Sequence, residues 1–168
     1  TQVGAIYLRN FLVIEVIEDA LLIEKETNRK YNITTHTTIN SKIKQLSLPY
    51  NQFMQLLGNL IKNSREAIHE AREVRTLAES VEGVIEIRVE QARQEDHLRL
   101  TVEDNGCGIE ASRLTTIFQR GESSKKSGSG FGLHSVATFV QSLNGSIRAE
   151  SEGEGLGSAI IIEMPING

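Results

Sequence analysis

The sequence predicts an α+β fold: a two-layer α/β sandwich in which a mixed β-sheet is covered on one face by helices. Three observations carry that expectation. In some segments apolar residues recur at i, i+3, i+4 and i+7, the mark of helices with one buried stripe. Other segments alternate apolar and polar residues, as strands with one buried face do. The two kinds follow one another as helix, strand, long helix, two strands, short helix, loop, helix and two strands, an order that suits helices packed on one side of a sheet.

Taken in turn, Ile14, Ile17, Ala20, Leu21 and Glu24 hold helical spacing after the apolar stretch Phe11–Val13, which predicts a helix over about 13–29. Tyr31–Ile39 is rich in Thr and Ile; such β-branched residues suit a pleated surface, so a strand is expected, with His36 on one of its faces. Pro49 opens the clearest helix, in which Phe53, Leu56, Leu57, Leu60, Ile61, Ser64, Ala67, Ile68 and Ala71 make one stripe. The charged stretch Arg72–Glu82 is either the end of that helix or a loop. Ile85, Ile87 and Val89 alternate with polar residues, as do Leu98, Leu100 and Val102, giving two strands joined by the polar turn Gln91–His97. A glycine turn at Asp104–Gly108 leads to a short helix at about 110–117. Residues 119–130 contain no apolar side chain and read as a loop between Phe118 and Phe131, expected to be the most mobile segment. Leu133, Val136, Ala137, Val140 and Leu143 form a further amphipathic helix, stopped by Asn144-Gly145. Strands at about 146–151 and 158–164 close the chain around the turn Gly153–Gly157.

At 168 residues, 39% of them hydrophobic, the chain is sized for one domain with a real core. A single Cys excludes an internal disulfide and any multi-cysteine zinc site. Its longest apolar runs, such as Ala159–Ile162, fall far short of the ~20 residues needed to cross a bilayer. The acidic N-terminal region shows no signal-peptide pattern. A net charge of −4 argues against general nucleic-acid binding. The chain opens at Thr1, so a fragment of a larger protein is expected, with residues 1–10 as a linker or the end of an upstream segment and 11–168 as the domain.

Four clusters of residues carry chemistry. Asn59 and Asn63 lie one helical turn apart and share a face. Two readings stand there: amides bonded to neighbouring loops, or Asn63 offering its oxygen to a hard cation such as Mg²⁺, which takes few protein ligands. Asp104-Asn105-Gly106-Cys107-Gly108-Ile109 follows a strand directly. It is either an ordinary Asx turn or a place where an acceptor-only carboxylate receives an exocyclic amine while glycines let backbone approach a ligand. Cys107 reads as a small filler. Gly128-Ser129-Gly130-Phe131-Gly132-Leu133 precedes a helix N-terminus, where unpaired N–H groups and the helix dipole favour anions. Its spacing is neither a dinucleotide fingerprint nor a P-loop, and no Gly-Lys dipeptide occurs in the chain. On the preceding loop, Ser123, Ser124, Lys125 and Lys126 are either a polar linker or groups within reach of a terminal phosphate. His134 is a phosphate contact or a surface residue. Finally, Ser158 after Gly153-Glu154-Gly155-Leu156-Gly157 either follows a plain hairpin or points its hydroxyl toward Asp104.

Together these motifs resemble the ATP-binding catalytic domain of sensor histidine kinases, within the GHKL superfamily that includes DNA gyrase, heat-shock chaperone and mismatch-repair ATPases. The resemblance rests on an N box (Asn59-Leu60-Ile61-Lys62-Asn63), a first glycine box (Asp104–Ile109), a phenylalanine box around Ile117-Phe118, a second glycine box (Gly128–Leu133) and the closing Gly155-Leu156-Gly157-Ser158. It covers about residues 11–165 and implies the GHKL/Bergerat ATP-binding fold.

The resemblance also implies roles. Asn63 would bind Mg²⁺ bridging the ATP phosphates, with Asn59 supporting it. Asp104 would read the adenine amine in a pocket shaped by Gly106, Gly108, Ile109 and Ala67, with Ser158 assisting. Residues 119–130 would be a lid rooted at Phe118. Ser124 and Lys125 would reach the phosphates, and Gly128, Gly130, Gly132, Leu133 and His134 would hold them at the helix start. Asn59 and Lys125 would serve phosphoryl transfer. Its partners would be ATP or ADP, a dimerisation domain carrying the phosphoacceptor histidine, and through it a response-regulator receiver domain. No nucleic acid is expected. The isolated chain would be a monomer in the cytoplasm, with membrane anchorage of its parent left open. Two departures stand out. Many members carry Lys where this chain has Glu66, so Lys62, Arg65 or the loop lysines must supply that cation. No histidine upstream of Asn59 fits a phosphoacceptor, because His36, the only one there, lies in Thr-rich strand sequence; His69, followed by Glu70, lies on the N-box helix itself and is not expected to be a substrate. Rival expectations are a GHKL-type ATPase, a serine kinase, or a nucleotide-binding docking module. Both enzyme rivals are disfavoured because GHKL hydrolases place a Glu base where Asn59 stands.

Overall fold

The computed structural model describes residues 8–121 and 132–167. Strand β1 (Arg9–Leu12) runs directly into helix α1 (Val13–Lys30); β2 (Ile33–Asn40) and β3 (Gln45–Leu48) follow, then the long helix α2 (Tyr50–Glu73). Strands β4 (Gly83–Gln91) and β5 (His97–Asp104) come next, then helix α3 (Gly132–Ser142) and strands β6 (Ser146–Glu150) and β7 (Ser158–Pro165). The main sheet has the order β2-β4-β5-β7-β6, with β2 and β4 parallel and every other pair antiparallel. All three helices lie on one face. The expected two-layer sandwich with a mixed sheet is the fold observed.

Alternation builds the layer between helices and sheet. Ile85, Ile87 and Val89 of β4, Leu98, Leu100 and Val102 of β5, and Ile160, Ile162 and Met164 of β7 are buried in one core with Phe53, Leu56, Leu57, Leu60 and Ile61 of α2. The residues between them point to the open face, where charges pair across strands. Arg88 meets Glu103 at 2.7 Å and Glu86 at 3.2 Å, and Arg99 meets Glu163 at 3.1 Å. The hydrogen bond that Arg88 donates to Glu103 holds the Arg88 pKa above its ordinary value against the opposing effect of burial. Exposed pairs of this kind add little stability, but they keep an open sheet face polar.

Two features differ from the expectation, and a third settles a choice it left open. First, β1 and β3 form a separate two-stranded antiparallel sheet, with Arg9 opposite Leu48 and Leu12 opposite Gln45. Phe11 anchors it, edge-on to Tyr50 at 5.1 Å and tilted against Phe53 at 5.8 Å, with the Arg9 guanidinium 4.3 Å above the Tyr50 ring. Tyr50 also donates its hydroxyl to Asp19 at 2.6 Å, and that bond holds its pKa above the usual value. Second, the short helix at 110–117 is two 3-10 turns, Ala111–Arg113 and Thr116–Phe118. Third, α2 stops at Glu73, and the rest of the charged stretch is loop. The buried Arg72 secures this corner, donating to the carbonyls of Tyr31, Asn32 and Val81. At the end of α3, Asn144 takes the left-handed conformation (φ 60°), whereas Gly145 is needed because a Cβ there would lie 2.6 Å from the Glu163 carbonyl oxygen.

The central place of α2 sets an expectation for stability. Leu57, fully buried on α2, truncated to Ala should cost about 2–5 kcal/mol in denaturant unfolding. Leu22→Ala on the outer face of α1, where the side chain is 70% exposed, should change stability by less than about 0.5 kcal/mol.

Candidate functional site

The motif residues gather where the C-terminal end of β5 meets the flank of α2. Asp104 is the last residue of β5 and is 6% exposed. Its Oδ1 accepts the Gly106 N–H at 2.9 Å, a short Asx-type bond that starts the turn. Its Oδ2 receives the Ser158 hydroxyl at 3.4 Å, directly across the β5–β7 ladder, where the two residues are register partners. The sequence expectation that Ser158 turns toward Asp104 is met, at the long end of hydrogen-bond range.

The turn then docks on α2. A Cβ on Gly106 would lie 2.6 Å from the Ala67 carbonyl carbon, and the Cys107 N–H donates to the Ala67 carbonyl at 2.9 Å. One and two helical turns before Ala67, on the same face, stand Asn63 and Asn59, both half-buried. Asn59 ends the row beside α3: the nearest neighbour of a Cβ placed on Gly132 would be its Cγ, at 4.0 Å. The α2 face carrying Asn59, Asn63 and Ala67 therefore joins the Asp104 turn at one end to the start of α3 at the other.

The closing glycine turn packs on the first. Gly108 (φ 75°) and Gly157 (φ 72°) both adopt left-handed backbone, and a Cβ at either would lie 2.0 Å and 2.3 Å from the carbonyl oxygens of Gly153 and Asp104 respectively. Backbone bonds run from Gly155 N–H to the Cys107 carbonyl at 2.6 Å and from Gly157 N–H to the Gly106 carbonyl at 3.2 Å. Ile109 and Phe118 are half-buried and pack against the core, as does Leu133 in the first turn of α3. His134 is half-buried rather than a free surface residue; its Nδ1 lies 3.1 Å from the Phe118 carbonyl, linking α3 to the second 3-10 turn. Ser124, Lys125, Gly128 and Gly130 lie outside the described residues, as does most of the loop expected to be mobile.

Sequence reasoning missed two polar residues of this site. Asn105 replaces a backbone pair at the end of the β4–β5 ladder: its Oδ1 accepts the Val84 N–H at 2.8 Å and its Nδ2 donates to the Glu82 carbonyl at 3.1 Å. The chain can thus leave the sheet toward Ala67 without stranding the β4 backbone. An Asn inside an Asx turn was the available signal. Ser151, whose hydroxyl touches both glycine turns, gave none. One candidate cation is removed: Arg65 turns to α1, bonding Glu24 at 2.7 Å and Asn28 at 2.9 Å, so it does not stand in for the family Lys. Lys62 is exposed.

Does this architecture suit a metal and a nucleotide? Among the described residues no group of three or more His, Cys, Asp or Glu could cage an ion. Mg²⁺ needs no such cage, because one or two oxygen ligands with phosphates and water complete its octahedron. The carboxamide row of α2 fits that demand. At α3, a Cβ on Gly132 would meet Asn59, among the described residues, only in ordinary van der Waals contact. A separate depression of about 780 Å³, bounded by Asn40, Lys42, Lys44, Gln91 and Asp96, lies at the opposite end of the sheet and contains none of the motif residues.

Comparison with known proteins identifies the family and the fold. Residues 50–168 match the family described as histidine kinase-, DNA gyrase B- and HSP90-like ATPase. A probable C4-dicarboxylate sensor kinase of Bacillus subtilis (strain 168) is 30% identical over 151 residues, covering 88% of this chain and 26% of that protein. The chain thus spans about a quarter of this curated relative. Among solved structures, the nucleotide-free catalytic domain of histidine kinase ThkA superposes with a TM-score of 0.74 at 23% identity, covering 95% of this chain and 96% of that one. Full-length ShkA in complex with AMPPNP gives 0.80 at 17% identity, covering 97% of this chain and 32% of that one. The two structures establish the shared fold. With the family match spanning residues 50–168, most of its length, the chain belongs to the histidine kinase-, DNA gyrase B- and HSP90-like ATPase family.

Proposed function

We propose that this chain is the ATP-binding catalytic domain of a two-component sensor histidine kinase, which passes the ATP γ-phosphoryl group to a histidine on a separate dimerisation domain. The observation that carries the reading is the single face of α2 that joins the Asp104 turn to the start of α3. A nucleotide laid along it would meet a carboxylate at its base and a helix N-terminus at its phosphates. Support also comes from the family match and from the sensor kinase among its relatives.

In this reading Asp104, oriented by Gly106 N–H and Ser158, accepts the adenine amine. Ala67, Gly106, Gly108 and Ile109 bound the base. Asn63 holds Mg²⁺ with Asn59 beside it, and the ion supplies neutralisation of the phosphate charge. Gly132 and Leu133 present backbone at the α3 start, where unpaired N–H groups favour anions; His134 adds a ring nitrogen there, and Gly128, Gly130, Ser124 and Lys125 are assigned to the phosphates as well. The chain's contribution to phosphoryl transfer is positioning and charge stabilisation. The acceptor imidazole is itself the nucleophile and comes from the dimerisation domain, which then serves a response-regulator receiver domain. Asn59 cannot accept a proton at neutral pH, so the site holds no carboxylate base there to activate water for hydrolysis. We place the domain in the cytoplasm, and as a monomer when isolated.

Two outcomes follow. By calorimetry, Asp104→Asn should weaken Mg·ADP binding by about 10–100-fold, the loss of one charge-assisted hydrogen bond; undiminished affinity would remove the base contact. Asn63→Ala should abolish the gain in ADP affinity that Mg²⁺ gives over EDTA while leaving metal-free binding within about threefold, a change below ~1 kcal/mol. Rapid multiple-turnover ATP hydrolysis by the isolated chain, lost in Asn59→Ala, would instead favour an ATPase.

A further inference from the structure

We infer that Ser151 is a positioning residue of the nucleotide pocket: its hydroxyl locks the two glycine turns into one wall and so fixes Asp104. Ser151 follows the last residue of β6 and is half-buried. A serine hydroxyl has one proton to give and two lone pairs to receive, and here all three are used. The O–H donates to the Gly157 carbonyl at 2.7 Å. The oxygen accepts the Ile109 N–H at 3.0 Å and the Gly153 N–H at 3.2 Å. A second acceptor for the proton, the Gly153 carbonyl, lies farther away at 3.3 Å.

These partners belong to different turns. Ile109 ends the turn that begins at Asp104, whereas Gly153 and Gly157 bracket the closing turn. The backbone bonds Gly155 to Cys107 and Gly157 to Gly106 join the middles of the turns; Ser151 joins their ends from the side. Gly157 precedes Ser158, whose hydroxyl reaches Asp104. The path from Ser151 to the carboxylate is therefore Gly157, Ser158, Asp104 on one branch and Ile109, Gly108, Gly106, Asp104 on the other. Removing the hydroxyl strands the Ile109 N–H and releases the Gly157 carbonyl, next to a left-handed backbone position that Gly157 occupies at φ 72°. Ser151 acts through Asp104 and Ser158, and its effect should fall on recognition of the base, not on the phosphate end near α3.

This assignment rests on the nucleotide reading above, and the experiment separates the two. Affinities for Mg·ADP and Mg·IDP, whose base lacks the exocyclic amine, are measured by calorimetry for wild type, Ser151→Ala, Ser151→Cys and Ser151→Thr, each checked for cooperative melting. In Ser151→Ala, ADP affinity should fall about tenfold while IDP affinity changes by less than about threefold, shrinking the ADP:IDP preference; tenfold corresponds to one lost hydrogen bond's worth of affinity. Ser151→Thr should restore the preference, and Ser151→Cys, a weak donor and acceptor, should behave as the alanine variant and replaces it if the latter does not fold. An unchanged ADP:IDP preference in folded Ser151→Ala, or a Ser151→Thr as impaired as Ser151→Ala, overturns the assignment alone. Failure of the wild-type chain to bind either nucleotide overturns the nucleotide reading and the assignment with it.

Discussion

The structure depends on one close approach: the turn after Asp104 lying against the side of α2. Gly106 sits so near Ala67 that any side chain there would collide with helix backbone, and the Cys107 N–H bonds the Ala67 carbonyl. That contact joins the end of the sheet to the helix bearing the two asparagines. Without it, Asp104 would be a carboxylate at a strand end with no fixed relation to Asn63. A glycine on the turn and a small residue on the helix are therefore a matched pair, and neither is interchangeable with a larger residue unless the other gives way.

The same contact explains why α2 must be held so firmly. Its apolar stripe is buried against β4, β5 and β7, its flank is tied to α1 through Arg65, Glu24 and Asn28, and its C-terminal corner is clamped by Arg72 on three carbonyls. A shift of the helix along its axis would move Asn59 and Asn63 together and separate Ala67 from Gly106. Binding sites built on well-packed elements keep their geometry better than sites built on loops alone. Here one wall is rigid helix and the other is two glycine turns, which need the cross-links from Asn105, Ser151 and Ser158 to match it.

Most of the fold was legible because its periods are long enough to read. The stripe from Phe53 to Ala71 and the alternation in β4, β5 and β7 each repeat several times. The segments β1 and β3 are four residues each, too short for a period to show, and their pairing joins distant parts of the chain. Residues 110–117 have a few helically spaced apolar residues, which fit two 3-10 turns as well as one α-helical turn. At the site, Asp104, Asn63 and the glycines were legible as motifs whose spacing narrows what they can be. Ser158 near Asp104 was anticipated, and the structure shows its hydroxyl donating to Asp104. Arg65 was a reasonable stand-in for a missing lysine until its partners on α1 were visible. Ser151 was illegible because a serine at a strand end is ordinary in sequence; only the three atoms around its oxygen distinguish it.

The proposed function requires the Asp104 turn, the asparagine row of α2 and the start of α3 to form one continuous binding surface. A titration of the isotope-labelled chain with Mg·ADP, followed by amide chemical shifts, tests it most directly. Asn59, Asn63, Gly106, Gly108 and Gly132 should shift together with one saturation curve, while Lys42, Gln91 and Asp96 at the far end of the sheet stay still. Shifts confined to that far end, or separate curves for the two ends of α2, would contradict it.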